Sequence, residues 1–77
     1  MSDVLGDISK NSLVKVTGFS GGDAMKRRLK DLGILVNEVI KIVKNDNHGP
    51  VIVNVKGADI VLGRTVTEKI IVESLDD

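Results

Sequence analysis

The fold is decided by residues 13–23, which read LVKVTGFSGGD. Val14 and Val16 alternate with polar residues, which is the pattern of a strand that buries one face and exposes the other. Gly18 predicts a bend or bulge near the end of that strand. The SGGD segment then predicts a loop that leads into a new element.

A short cationic helix is predicted next, over residues 24–32, which read AMKRRLKDL. Met25, Leu29 and Leu32 follow the i, i+4, i+7 spacing and form one apolar stripe. Gly33 stands where a residue in the left-handed conformation commonly ends a helix. A strand, a glycine-rich loop and a helix therefore open the domain.

The rest of the chain predicts four more strands, again from alternating or β-branched runs. They cover residues 38–44, 51–56, 59–62 and 70–72. Residues 45–50 form a turn by composition, and residues 64–68 form a helical turn. Val4, Leu5 and Ile8 are spaced as in a helical turn, so residues 3–10 are expected to cap one end of the domain.

The composition favours a mainly β fold. Valine and isoleucine fill 20 positions against two for alanine, and Phe19 is the single aromatic residue. A core of branched aliphatic side chains suits strands, and we predict a small SH3-like barrel of about five strands, with one short helix between the first two strands and an N-terminal helical turn. With 77 residues and zero net charge, one domain over residues 1–77 is expected, with a cap at 1–10 and a flexible tail at 75–77.

The residue inventory argues against catalysis. The chain has no cysteine and one histidine, His48, so neither a thiolate site nor a nucleophile beside a base can be assembled. We predict a non-enzyme. No apolar run has the length of a membrane span, and no basic leader precedes an apolar segment. We therefore expect a cytoplasmic protein that meets a membrane only through a partner.

The sequence predicts one weak candidate metal site. Asp46 and His48 share the turn at 45–50, and a carboxylate with an imidazole suits ferrous or another divalent transition-metal ion. Turn formation and solubility explain the same two residues, because closed sites need three or four ligands. No resident cofactor is expected beyond such a weakly held ion.

The sharpest local signal is the positive charge of the predicted helix. Lys26, Arg27, Arg28 and Lys30 lie within five residues of one another. This run reads either as a solvated helix face or as a docking surface for an acidic protein, with phosphate binding as a third alternative. Zero net charge and a single aromatic residue argue against a nucleic-acid partner.

The short connection after the helix adds apolar groups to this region. Leu35, Val36 and Asn37 follow the helix closely, where partial exposure of the two aliphatic side chains is expected. We predict that a partner protein binds Lys26, Arg27, Lys30 and the 35–37 connection.

In its order of motifs the chain resembles the FeoA family, small SH3-like proteins that accompany the bacterial ferrous-iron permease FeoB. The resemblance spans nearly the whole sequence. Its strongest parts are VTGF at 16–19 and RL-x-x-LGI at 28–34. Supporting parts are Gly49-Pro50, Gly57, LGR at 62–64 and the apolar run at 70–72.

Two departures from the family pattern are visible. Family members usually carry Pro-Gly where this chain has Lys10-Asn11 and Val36-Asn37. Asparagine is the residue other than glycine best suited to a left-handed turn position, so the backbone conformation is expected to survive both changes.

The resemblance implies a cytosolic accessory or regulatory role in ferrous-iron uptake, through contact with the cytosolic part of a FeoB-type permease. The resemblance leaves two alternative functions open. In these alternatives the protein is either a ferrous-ion sensor or chaperone, or a stand-alone regulatory module like the C-terminal SH3-like domain of DtxR-type repressors. The resemblance supplies no catalytic residues.

Overall fold

Six antiparallel strands form one sheet in the computed structural model, which describes residues 2–75. The strands are β1 (Ser2–Val4), β2 (Leu13–Phe19), β3 (Val39–Lys44), β4 (Val51–Val55), β5 (Ala58–Leu62) and β6 (Ile70–Ser74). Their order across the sheet is β1-β6-β2-β3-β4-β5. Helix α1 (Asp23–Asp31) connects β2 to β3, helix α2 (Arg64–Thr67) connects β5 to β6, and a 3₁₀ turn covers Leu5–Asp7.

The alternation in the sequence sets the buried face of the sheet. Val14 and Val16 of β2 are fully buried, and so are Val51 and Val53 of β4. Successive side chains of a strand point to opposite faces, so each alternating run delivers every second side chain to the core. The predicted strand at 13–19 is confirmed at both ends.

The mainly β architecture is confirmed, and the sheet has one strand more than the five predicted. The additional strand is β1, where Asp3 pairs with Val72 and Val4 with Ile71 of β6. The expected N-terminal helical turn is present but begins at Leu5. Leu5 and Ile8 lie in the core. The apolar spacing that predicts a helical turn therefore reflects the burial of these two side chains, which follow the very short strand β1.

One continuous apolar cluster fills the space that the curved sheet encloses. Helix α1 contributes Leu29, and the segment after it contributes Ile34, both buried. Phe19 and Met25 pack against the cluster from partly buried positions. The other members are Leu5, Ile8, Val14, Val16, Ile40, Ile42, Val51, Val53, Val55, Leu62, Ile70 and Val72.

The sheet curves at two irregularities. The register of β2 against β6 shifts between Val16 and Gly18, which confirms the bulge expected at Gly18. A second shift, between Ile42 and Lys44, interrupts the pairing of β3 with β4. Bulges bend a strand and increase its twist, which lets a sheet of short strands wrap around a small core.

Asn11 and Asn37 both adopt the left-handed conformation that the sequence predicts for them. Asn11 has φ 72° and Asn37 has φ 76°. The N–H of Ser12 donates to the Ser9 carbonyl oxygen (3.3 Å), and the N–H of Glu38 donates to the Leu35 carbonyl oxygen (3.0 Å). A positive φ only at the third residue defines a type II turn, so the expected backbone conformation is kept.

The predicted flexible tail lies mostly outside the described residues. Leu75 donates its backbone N–H to the Leu13 carbonyl oxygen at 2.9 Å. Residues 76 and 77 lie beyond the described part of the chain.

Candidate functional site

The predicted cationic surface lies on one side of α1. Lys26, Arg27 and Lys30 are all exposed. Within residues 2–75 the single ion pair joins Lys56 Nζ to Glu38 Oε1 at 3.2 Å, so none of these three cations has an acidic partner there. Their charge is therefore available to a partner surface.

The 35–37 connection adds two exposed aliphatic side chains, Leu35 at 40% and Val36 at 50% exposure. Its backbone is held in place because Asn37 N–H donates to the Val16 carbonyl oxygen at 2.7 Å. The segment is also tied to the helix by Ile34 N–H, which donates to the Leu29 carbonyl oxygen at 2.9 Å. We call Lys26, Arg27, Lys30 and residues 35–37 the α1 surface.

A groove beside α1 is a feature that the sequence did not indicate. It has a volume of about 270 Å³ and is mainly apolar, and we call it the α1–β5 groove. Its lining residues are Ala24, Met25, Arg28, Leu29 and Leu32 of α1 and its end, with Val61, Leu62, Gly63 and Val66 of β5 and α2. Arg28 is therefore separated from the other helix cations and is the one charged residue in this lining.

The groove explains the incomplete burial of the predicted apolar stripe. Leu29 is buried, whereas Leu32 is 39% exposed. The sequence shows the stripe but not which part of it stays exposed, because the residues opposite α1 belong to β5 and α2, which come more than 25 residues later in the chain.

The structure brings Asp46 and His48 into one exposed turn, as predicted. Asp46 Oδ1 accepts the backbone N–H groups of His48 and Gly49, both at 3.1 Å. These two donors lower the pKa of the Asp46 carboxyl below its ordinary value, His48 N–H most, because they favour the charged form. Asp46 thus has a defined role in shaping the turn.

A metal ion would have few additional ligands at this turn. No group of three His, Asp or Glu side chains placed to hold a metal ion occurs in the part of the chain that the structure describes. Asp46 and His48 together would offer one carboxylate and one imidazole, with water completing the coordination.

Arg64 lies at the centre of a polar cluster that no pattern in the sequence indicates. The guanidinium donates through Nε to the Gly49 carbonyl oxygen (3.2 Å), through Nη1 to the Gly6 carbonyl oxygen (3.0 Å) and through Nη2 to Asn45 Oδ1 (2.7 Å). Asn45 Nδ2 in turn donates to the carbonyl oxygens of Gly6 (3.0 Å) and Ile8 (2.8 Å). We call Arg64, Asn45, Gly6 and Gly49 the Arg64 cluster.

The Arg64 cluster joins three segments that are distant in sequence: the N-terminal 3₁₀ turn, the 45–50 turn and α2. Arg64 belongs to the LGR motif at 62–64. Nothing in that motif indicates which oxygens would receive its hydrogen bonds, because all three acceptors lie at least 15 residues away.

The family model for the FeoA domain matches residues 4–74. The chain belongs to the FeoA family. A curated relative from Methanocaldococcus jannaschii, named "Putative Fe(2+) transport protein A", is 36% identical over 63 residues. That match covers 82% of this chain and 76% of the relative. The resemblance seen in the sequence motifs is confirmed.

Solved structures show the same fold. A crystal structure of an iron uptake regulatory protein, FeoA, has a TM-score of 0.89 at 21% identity, with 97% of this chain and 99% of that chain covered. Stenotrophomonas maltophilia FeoA complexed with zinc, described as a procaryotic SH3 domain protein, has a TM-score of 0.79 at 22% identity. That match covers 92% of this chain and 89% of the other. The SH3-like fold is thereby confirmed.

No helix in residues 2–75 has the length and apolar character needed to cross a membrane.

Proposed function

We propose that this FeoA protein is a cytosolic, non-catalytic accessory of ferrous-iron uptake that binds the cytosolic part of a FeoB-type permease through the α1 surface. The observation that carries the proposal is the set of exposed helix cations without an acidic partner, directly followed by a fixed turn with two exposed aliphatic side chains. Family membership supplies the link to iron transport.

The two parts of the α1 surface serve different steps of binding. Lys26, Arg27 and Lys30 attract an acidic surface over several ångströms and raise the association rate. Leu35 and Val36 contribute apolar contact area once the proteins meet, because burying aliphatic surface is favourable. The hydrogen bonds that fix Asn37 keep the ordering cost of this turn low.

The test measures binding of the protein to the purified cytosolic domain of the permease by isothermal titration calorimetry. The triple variant Lys26→Glu, Arg27→Glu and Lys30→Glu is expected to weaken binding by at least about tenfold and to reduce its dependence on salt. The matched control reverses Lys10, Lys41 and Lys69, which are exposed elsewhere, and changes the net charge by the same amount.

Two results would contradict this assignment. Unchanged binding of the triple variant would remove the charged part of the α1 surface from the proposal. An equal loss in the control variant would show that binding responds to the overall charge of the protein and not to the charges of one defined surface.

A second candidate function is direct binding of ferrous ion at the 45–50 turn. It is supported by the placement of the Asp46 carboxylate and the His48 imidazole in one exposed turn. Anaerobic titration with ferrous ion should broaden or shift the amide resonances of residues 46–49 in NMR spectra, and His48→Gln should abolish the effect. Resonances that stay unchanged up to millimolar ferrous ion would contradict it.

A further inference from the structure

The outer edge of β5 carries backbone groups that the sheet does not use. Among the described strands, β5 pairs with β4 alone. Val55 pairs with Ala58 across the two-residue turn formed by Lys56 and Gly57, both with positive φ. In such a hairpin the hydrogen-bonded residues alternate with residues whose N–H and C=O point outward. Asp59 and Val61 are the outward-directed residues.

The α1–β5 groove lies at the end of this strand where Val61 and Leu62 stand. Val61 is 63% exposed and lines the groove, with α1 on the other side. An apolar cavity of about 150 Å³ already holds a molecule the size of benzene. The volume of about 270 Å³ between β5, α2 and α1 therefore accepts an aliphatic side chain and part of a neighbouring one.

The charge around the groove selects the kind of segment that fits. Arg28 is the one charged residue in its lining, which includes no carboxylate. The guanidinium of Arg28 has no ion-pair partner within residues 2–75. A bound segment with a carboxylate that reaches Arg28 would supply that partner, whereas a lysine at the same position would be repelled by the guanidinium.

We infer that the α1–β5 groove binds an extended acidic segment of a partner protein, which adds as a strand to β5. The backbone of the segment pairs with Asp59 and Val61, one aliphatic side chain enters the groove, and a neighbouring carboxylate meets Arg28. Addition of a strand to a free sheet edge is a general mode of peptide recognition, in which main-chain bonds give affinity and side-chain pockets give specificity. The inference does not depend on the permease being the partner.

The experiment uses a short capped peptide that alternates leucine and glutamate, titrated into ¹⁵N-labelled protein. The expected result is saturable shifts of the Asp59 and Val61 amide resonances, together with changes at Leu32 and Val66. Arg28→Glu should weaken the binding about tenfold, the size expected when attraction in a charge pair becomes repulsion. Lys41→Glu, an equal charge change on β3, should alter the affinity less than twofold.

Two further peptides separate strand addition from simple charge attraction. The alternating leucine–lysine peptide should not bind. A leucine–glutamate peptide with N-methylated backbone nitrogens keeps the side chains but loses the backbone donors, and its binding should be at least tenfold weaker. Equal binding of the N-methylated or the lysine peptide would overturn the inference, and so would a lack of binding by the leucine–glutamate peptide at millimolar concentration.

Self-association is a distinct outcome. If the Asp59 and Val61 resonances shift when the protein alone is concentrated, a second copy of the chain occupies the edge, and the inference of an acidic partner segment is wrong. Because Arg28 and Lys41 are exposed, Arg28→Glu and Lys41→Glu should leave the spectrum of the core residues unchanged. That spectrum verifies the fold in every variant.

Discussion

Arg64 and Arg27 are the same residue type in two contrasting surroundings. Arg64 is half-buried and donates three hydrogen bonds to carbonyl and amide oxygens of distant segments. Arg27 is exposed on α1 and has no ion pair within the described residues. An arginine therefore stabilises this fold where its donors bind oxygens of the same chain, and it is free for recognition where they do not.

The largest expected effect is on the Arg64 cluster. Arg64→Ala should lower the free energy of unfolding by about 3 kcal/mol, because it removes three hydrogen bonds from a charged donor and leaves their acceptors without it. Urea denaturation measures the change. Arg27→Ala is the matched control and should stay within about 0.5 kcal/mol of the wild type. Similar losses of stability for both variants would contradict the different roles given to Arg64 and Arg27.

A second substitution tests how tightly the same cluster is packed. A Cβ atom at Gly6 would lie 2.9 Å from Thr67 Oγ1, and Thr67 is fully buried. Gly6→Ala should therefore cost about 1–3 kcal/mol through overpacking. At Gly18 a Cβ would meet nothing within 4 Å, so Gly18→Ala should cost much less. Thermal unfolding of the two variants measures both losses of stability. Equal losses would contradict the expected overpacking at Gly6.

A smaller effect is expected in the turn of the α1 surface. Asn37 has φ 76°, a conformation that costs an ordinary L-residue about 1–2 kcal/mol. Asn37→Ala should destabilise the protein by about 1 kcal/mol, and Asn37→Gly should be close to neutral. Chemical denaturation gives both values. If Gly is as unfavourable as Ala, the Asn37 side chain and not its backbone conformation stabilises the turn.

The smallest effect is a pH dependence at the 45–50 turn. The pKa of Asp46 is lowered in the folded state by the N–H groups of His48 and Gly49. Its contribution to stability is therefore fully present above the ordinary pKa of the carboxyl and is lost as the pH falls through the lowered folded value. Asp46→Asn should be less stable than the wild type at neutral pH, and the difference in unfolding free energy should shrink in acid. A difference independent of pH would exclude this contribution.

The sequence predicted local features well. The strand at 13–19, the bulge at Gly18 and the left-handed conformation of Asn11 and Asn37 all depend on a few adjacent residues. Alternation and turn chemistry are read within such short windows. A solvated helix face and a docking surface both need exposed cations, and Lys26, Arg27 and Lys30 are exposed.

The features that the sequence does not predict depend on segments that are far apart in the chain. Strand β1 has only three residues and pairs with residues 71–73, so no local alternation could indicate it. The acceptors of Arg64 and the two walls of the α1–β5 groove come from separate parts of the chain. Neither the cluster nor the groove has a pattern of its own in the sequence.

The position of β6 has a consequence for how the protein is made. This strand is the last to be synthesised among the six, yet it lies between β1 and β2 and pairs with both. During translation, β1 therefore has no partner strand, and β2 has only β3, until residues 70–74 have left the ribosome. The nascent chain should collapse cooperatively and late, since its sheet depends on contacts of large sequence separation. A ribosome-bound chain stalled before residue 70 should accordingly remain sensitive to protease.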